Sequence, residues 1–189
     1  MLEIKKSEFR ENVESFAIAV LTILFIMIFI VQSFLVKGSS MEPTLHDGER
    51  LLVNKFIFKF RIPHTGDIIV LKPPKDPDKK YIKRVIAGPG QSILIQDSKV
   101  YISGVELDEP YIREKIFQDF ESQSVPLGTI FVMGDNRNGS KDSRDPEVGF
   151  VPVQNVVGKA IFIFWPIPEI HALLNPKYKN LAPDYFLDQ

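Results

Sequence analysis

The uncharged run from Ser15 to Val36 constrains this chain more than any other feature of its sequence. It reads SFAIAVLTILFIMIFIVQSFLV, and a threonine, a glutamine and a serine are its only polar residues after Ser15. A helix needs about 20 consecutive apolar residues to cross the hydrocarbon core of a bilayer. The run therefore predicts a single transmembrane anchor over 15–36, followed by one domain over 37–189.

The residues that flank the run predict whether it is cleaved and how it is oriented in the membrane. The run is too long for a cleaved secretory signal, and its exit VQSFLVKG lacks an A-x-A pattern, so we expect an uncleaved anchor. Lys5, Lys6 and Arg10 precede it, which places residues 1–14 in the cytoplasm and the domain outside by the positive-inside rule.

The domain shows short stretches rich in Val, Ile, Phe and Tyr, separated by turn residues. These stretches are RLLVNKFIF, GDIIVL, KYIKRVIA, SILIQ, KVYIS, GTIFVMG and VVGKAIFIFW. They predict a mainly β fold, an antiparallel barrel or folded-over sheet behind the N-terminal transmembrane helix. The segment 105–127 has no clean period, and we expect an inserted loop or hairpin there.

Composition excludes several classes of function. The chain has no cysteine, which rules out disulfides, thiol nucleophiles and cysteine-ligated zinc. Its net charge of −1 supplies no basic field for nucleic acid. We expect neither a metal nor a cofactor.

The stretch GSSMEPTL places two serines directly behind the apolar run. A flexible exit from a helix, ended by Pro43, is one explanation. The other is a nucleophilic serine at the membrane surface, which needs a base to activate it. The chain contains neither a G-x-S-x-G elbow nor an S-x-x-K motif, so the α/β-hydrolase and penicillin-binding arrangements are excluded.

A lysine can serve as the base where burial lowers its pKa from about 10.4. In YIKRVIAGPG, strand alternation places Lys83 on the face of Tyr81 and Val85, with Arg84 on the other face. The alternative is that Lys83 belongs to an ordinary charged surface.

The polar segment GDNRNGSKDSRDPE invites a calcium-loop interpretation, which fails on ligand order. The register of its glycine puts Gly134 first and Asp145 last, where an EF-hand loop needs Asp and Glu. A hydrogen-bonded turn that presents Ser140, Asp142 and Arg144 remains, and the last two are near enough in sequence to pair.

Together these stretches resemble bacterial type I signal peptidases, the membrane-anchored serine proteases with a Ser-Lys dyad. GSSMEPTL, GDIIVLK, YIKRVIAGPG, GDNRNGSKDSRD and VGKAIFIFWP occur in the order of that family behind an N-terminal span. The resemblance implies that Ser40 is the nucleophile and Lys83 the general base. It also implies removal of signal peptides from exported preproteins, after Ala-x-Ala, on the outer face of the plasma membrane.

The resemblance assigns supporting roles as well. It implies that Ser140 hydrogen-bonds the lysine amine, that Asp142 and Arg144 support the site as an ion pair, and that Asp135 organises the same loop. Gly38 stands where some members carry a serine that helps to bind the oxyanion. The backbone N–H of Ser40 is then the one donor identified.

Apolar residues near the dyad are expected to dehydrate the lysine, and the resemblance implies that four of them form the walls of shallow pockets for small side chains. They are Val36, Met41, Leu45 and Ile82. The partners implied are preproteins and the lipid bilayer, with no nucleic acid, and the protein is expected to be monomeric. Two alternatives remain open: a specialised Ser-Lys processing peptidase with a narrow substrate, and an inactive membrane-tethered binding domain of the same fold.

Overall fold

A computed structural model describes residues 8–178, which form one α-helix, twelve short strands and three 3-10 turns. The helix α1 is Glu8–Phe29, and the turns are Ile57–Lys59, Val153–Asn155 and Ile167–Glu169. The strands are β1 Val31–Leu35, β2 Arg50–Asn54, β3 Ile68–Leu71, β4 Tyr81–Ala87, β5 Ser92–Gln96, β6 Lys99–Ile102, β7 Val105–Glu106, β8 Phe120–Ser124, β9 Thr129–Met133, β10 Val151–Pro152, β11 Val156–Trp165 and β12 His171–Ala172.

The strands form two sheets in which every pairing is antiparallel. An eight-stranded sheet has the order β1-β2-β11-β3-β4-β9-β10, with β12 added beside β11. A four-stranded sheet has the order β7-β6-β5-β8. The predicted mainly antiparallel β fold is therefore confirmed, and every stretch predicted to be a strand contains one.

The large sheet is buried on both faces at its centre. Ile68 and Val70 of β3 pack into one apolar cluster, whereas Ile69 and Leu71 pack into another on the opposite face. Side chains alternate between the faces of a strand, so a strand covered on both sides needs a continuous apolar run. This requirement explains the sequence IIVL in β3 and gives its neighbour β4 a rigid support.

The N-terminal region differs from the predicted single span over 15–36. The helix ends at Phe29, and β1 pairs with β2 from Val31 opposite Asn54 to Leu35 opposite Arg50. Phe34 of β1 and Val36 directly after it pack into the apolar cluster under β2, which holds this segment against the sheet.

Among residues 8–178, no helix combines the length and the apolarity required to cross a membrane. The first seven residues of the predicted flank 1–14, and residues 179–189 of the predicted domain, lie outside the described part.

The segment 105–127 is not a hairpin on its own. Its strands β7 and β8 lie at opposite edges of the small sheet, because β7 pairs with β6 and β8 pairs with β5. Leu107, Ile116 and Val125 from this segment complete an apolar core with Ile93 and Ile102 of β5 and β6. The sequence of β8 shows no alternation of apolar and polar residues because four of its five side chains are exposed.

Gly158 allows β11 to approach β2 closely, and this yields a prediction about stability. A Cβ atom at Gly158 would overlap the backbone carbonyl of Asn54. Backbone in a sheet cannot move aside cheaply, so we expect Gly158→Ala to lower the free energy of unfolding by about 1–3 kcal/mol. Urea denaturation of the full-length protein in detergent, followed by the fluorescence of its single tryptophan, measures this change.

The matched control is Gln96→Ala, a substitution at an exposed strand position of the small sheet. It should change the free energy of unfolding by less than about 0.5 kcal/mol. Equal unfolding midpoints for the two variants would contradict the close approach at Gly158.

Candidate active site

Ser40 lies in a tight turn that apolar side chains hold in place on both sides. The amides of Thr44 and Leu45 donate to the carbonyl of Met41, at 2.9 and 3.0 Å. The side chains of Met41 and Leu45 are 1% and 0% exposed and belong to the apolar cluster under β2. The turn that carries Ser40 is thus anchored in the core rather than being a flexible exit from the helix.

Gly38 begins this turn in a conformation that favours glycine. Its φ is +83°, and its N–H donates to Oδ1 of Asp47 at 2.6 Å. A side chain is disfavoured in this left-handed region of φ, which gives a structural reason for glycine here. The Gly38 amide is engaged by Asp47, whereas the Ser40 amide has no acceptor among the described residues.

Lys83 on β4 is in direct contact with Ser40. Its Nζ donates to Ser40 Oγ at 2.7 Å and to the carbonyl oxygen of Ile82 at 3.0 Å. Only 3% of Lys83 is exposed, so the alternative of an ordinary surface lysine is wrong. The two residues singled out as nucleophile and base are therefore adjacent, although 43 positions separate them in the sequence.

Burial lowers the pKa of the Lys83 amine to about 8, since a cation loses hydration inside a protein. The negative charges of Asp142 and Asp135 act in the opposite direction and raise this pKa, while the positive charge of Arg144 lowers it further. The amine is consequently far easier to deprotonate than that of an exposed lysine.

Asp142 and Arg144 form a bidentate ion pair. The Nε and Nη2 atoms of Arg144 donate to the two carboxylate oxygens of Asp142, each at 2.8 Å. The same carboxylate accepts the N–H of Gly134 at 2.9 Å, and Arg144 donates to the carbonyl of Arg137 at 2.6 Å. These bonds fix the polar loop beside the Ser40–Lys83 pair.

Ser140 does not make the hydrogen bond that was expected of it. Its hydroxyl is buried and has no partner among the described residues, because the Lys83 amine donates to Ser40 and Ile82 instead. The hydroxyl still lies close to the site. A Cβ atom added to Gly134 would overlap both Ser140 Oγ and the carbonyl oxygen of Ser40.

Asp135 connects β4 to the turn that carries Ser40. It accepts two hydrogen bonds from Arg84, at 2.8 and 2.6 Å, and one from the hydroxyl of Thr44 at 2.5 Å. Arg84 is 2% exposed, and its guanidinium carbon lies 3.9 Å from the centre of the Tyr111 ring. A buried charge is tolerated only when it is paired in this way.

Arg84, Thr44 and Tyr111 belong to this support, although the sequence pattern did not indicate them. Strand alternation placed the Arg84 side chain on the opposite face of the strand from Lys83. Nothing in the sequence showed which carboxylate would pair with it. Asn136 was missed too, although its backbone N–H donates to the carbonyl of Ser40 at 3.2 Å and its side chain donates to that of Ser39 at 3.2 Å.

A cleft of about 580 Å³ opens beside Ser40. Val36, Met41 and Ile82 contribute to its walls, as predicted. Leu45 does not, because its side chain is fully buried beneath the turn and packs into the core. The other lining residues are Phe34, Leu35, Lys37, Gly38, Ser39, Ser40, Val70, Lys80, Tyr81, Lys83, Gly139 and Lys141.

The chain is similar to known proteins of one family. The family model described as signal peptidase, peptidase S26, matches residues 9–165. A probable signal peptidase I-1 from Synechocystis sp. is 40% identical over 164 residues, which cover 83% of each chain. Signal peptidase I from Bacillus licheniformis is 40% identical over 179 residues, which cover 88% of this chain and 94% of that protein.

A crystal structure of signal peptidase I from Enterococcus faecalis V583 is also similar, with 36% sequence identity and a TM-score of 0.46. The match covers 51% of this chain and 95% of that chain. The extent of the family model and of the two sequence relatives decides the assignment: the chain belongs to the signal peptidase family, peptidase S26.

Proposed function

We propose that this protein is a signal peptidase I, a serine endopeptidase that removes signal peptides from exported preproteins by cutting after Ala-x-Ala. The observation that carries the proposal is the 2.7 Å hydrogen bond between the buried Lys83 amine and Ser40 Oγ beside an open cleft. Relatives that match most of the chain are named signal peptidase I. An inactive binding domain has no evident need for such a pair.

The reaction begins with neutral Lys83. It takes the proton of Ser40 as Oγ attacks the scissile carbonyl, and it then protonates the leaving amine of the mature protein. The resulting acyl-enzyme is hydrolysed by a water molecule that Lys83 activates. Because the pKa of the Lys83 amine is about 8, about one enzyme molecule in ten carries the neutral amine at pH 7. No further group is needed to deprotonate it.

The oxyanion needs a hydrogen-bond donor beside Ser40. The Ser40 backbone N–H is suited to this role because it has no acceptor among the described residues. The Gly38 N–H is less suited, since it already donates to Asp47. A preorganised donor of this kind contributes about two to three decades in rate.

Three carboxylate or hydroxyl groups support the pair in this proposal. Asp142, held by Arg144, and Asp135, held by Arg84, moderate the pKa of Lys83 and fix the loop around it. The unpartnered hydroxyl of Ser140 becomes a hydrogen-bond partner for the lysine amine once Ser40 Oγ is acylated. An unsatisfied buried hydroxyl is costly, which favours such a bond during the reaction.

The cleft suits an extended peptide with small side chains. Pairing between β4 and β9 begins at Arg84, so the β4 backbone from Tyr81 to Lys83 has no partner strand on that side within the described part of the chain. A substrate backbone can pair with this free edge. Val36, Met41 and Ile82 then restrict the side chains on either side of the cut to small ones such as alanine.

The uncharged residues before β1 attach the enzyme to the plasma membrane in our proposal, in a single pass with the N-terminus in the cytoplasm. Apolar side chains of α1 are exposed, among them Phe16 at 72% and Leu21 at 65%. Attachment confines enzyme and substrate to one surface and raises their effective concentration.

The nucleophile is tested by comparing neighbouring serines. Full-length wild type, Ser40→Ala and Ser39→Ala are incubated in detergent with a preprotein whose signal ends in Ala-x-Ala, and the products are identified by mass spectrometry. We expect Ser40→Ala to lose cleavage by at least about a thousandfold. Ser39→Ala, the matched control, should still cut at the same bond; cleavage there by Ser40→Ala would disprove the assignment.

The base is tested through the pH dependence of kcat/KM. Only the neutral amine of Lys83 accepts a proton, so the rate should rise with pH and level off above its pKa of about 8. Asp142 raises that pKa, so Asp142→Asn should move the midpoint to lower pH. An unmoved midpoint, or one shifted to higher pH, would argue against Lys83 as the titrating group.

The packing around Gly134 is tested with a pair of alanine substitutions. Gly134→Ala would push a methyl group against the Ser40 carbonyl and the Ser140 hydroxyl, whereas Gln96→Ala changes an exposed strand position of the small sheet outside the cleft. Displacing a nucleophile by about 1 Å can cost about a hundredfold in rate, so we expect that loss for Gly134→Ala alone. Similar kcat values for both folded variants would contradict the proposed close fit.

A further inference from the structure

The cleft beside Ser40 has a one-sided charge distribution. Four lysines line it, and no aspartate or glutamate does so among the described residues; the lysines are Lys37, Lys80, Lys83 and Lys141. The whole chain has a net charge of only −1, so this concentration of cations is local. Lys83 belongs to the dyad, which leaves three lysines without a role in the chemistry.

Two of these three lysines have no carboxylate partner among the described residues. Lys141 is paired with Glu147, and its charge is largely balanced. Lys37 and Lys80 are both exposed, and neither forms an ion pair within the described part of the chain. The Lys80 amine lies 5.2 Å from the centre of the Phe34 ring, which holds it at the cleft.

The two unpaired lysines come from two separate segments that line the cleft. Lys37 belongs to the chain segment that leads from β1 into the turn of Ser40, and Lys80 immediately precedes the free edge of β4. A peptide that lies along this edge passes near both lysines. Its side chains near the scissile bond therefore experience a positive potential, in a concave site where the field is focused.

We propose that Lys37 and Lys80 make this peptidase selective for preproteins that carry an acidic side chain next to the scissile bond, and that they disfavour a basic one there. This inference rests on the proposed function and names the substrate class within it. A peptide is favoured over an anionic lipid headgroup as the occupant, because the lysines line the concave site that contains the nucleophile.

The expected effect is modest and sensitive to salt. One exposed pair between a lysine and a carboxylate changes an equilibrium by about 1.5- to 5-fold, and two lysines act here. We expect kcat/KM to differ by about tenfold between an acidic and a basic substrate at low ionic strength. Added salt should reduce the difference, because it screens exposed charges.

Three preproteins test the inference, each ending its signal in Ala-x-Ala and differing only in Glu, Gln or Lys at the middle position. A second set carries the same changes at the first residue after the cut. Full-length enzyme in uncharged detergent at constant pH should rank at least one set Glu, then Gln, then Lys, with a smaller spread in high salt. Equal kcat/KM values across both sets would overturn the inference.

Two variants test whether Lys37 and Lys80 cause the preference for an acidic substrate. In the double variant Lys37→Gln, Lys80→Gln, the ratio of kcat/KM for the Glu substrate to that for the Lys substrate should approach one. In the matched control Lys75→Gln, an exposed lysine outside the cleft, the ratio should stay at the wild-type value. A double variant that keeps the wild-type ratio would also overturn the inference.

The outcome of this test is separable from that of the proposed function. Cleavage of the neutral Gln substrate by wild type supports the peptidase activity whether or not charge matters. A preference that appears only after anionic lipid vesicles are added would assign the lysines to a lipid headgroup and overturn the choice of a peptide.

Discussion

Burial of the Lys83 amine against Ser40 is the constraint on which the rest of the site depends. A lysine removed from water favours its neutral form, and that form is the one able to accept a proton from a hydroxyl. The apolar cluster under β2 and the central strands of the large sheet keep water away from it. The same side chains therefore form the core and keep the pKa of the proposed base low.

A buried cation would be unstable without nearby negative charge, and the site supplies it through groups that are paired already. Asp135 is held by Arg84 and Asp142 by Arg144, so each carboxylate acts on Lys83 without approaching it as a direct partner. A direct partner would form a salt bridge and raise the pKa of the amine. The two ion pairs thus fix the loops while the lysine remains easy to deprotonate.

Much of the architecture could be predicted because the strands that build it alternate or are continuously apolar. Ser40 and Lys83 were predicted as nucleophile and base because short motifs in a fixed order resemble a known family, and the structure places the two side chains in contact. Arg84 could not be assigned, since its partner Asp135 lies 51 positions away and only the pairing of β4 with β9 brings the two together. The strand β1 was hidden inside an uncharged run whose composition suits a helix equally well.

That strand has a mechanical consequence. Because β1 follows α1 after one residue and is hydrogen-bonded along β2, no flexible linker separates the helix from the catalytic sheet. An extended strand of five residues covers about 16 Å. In the proposed membrane arrangement, the distance between the lipid surface and the proposed nucleophile Ser40 would be fixed. That distance would determine how many residues a preprotein needs between its apolar segment and its cleavage site.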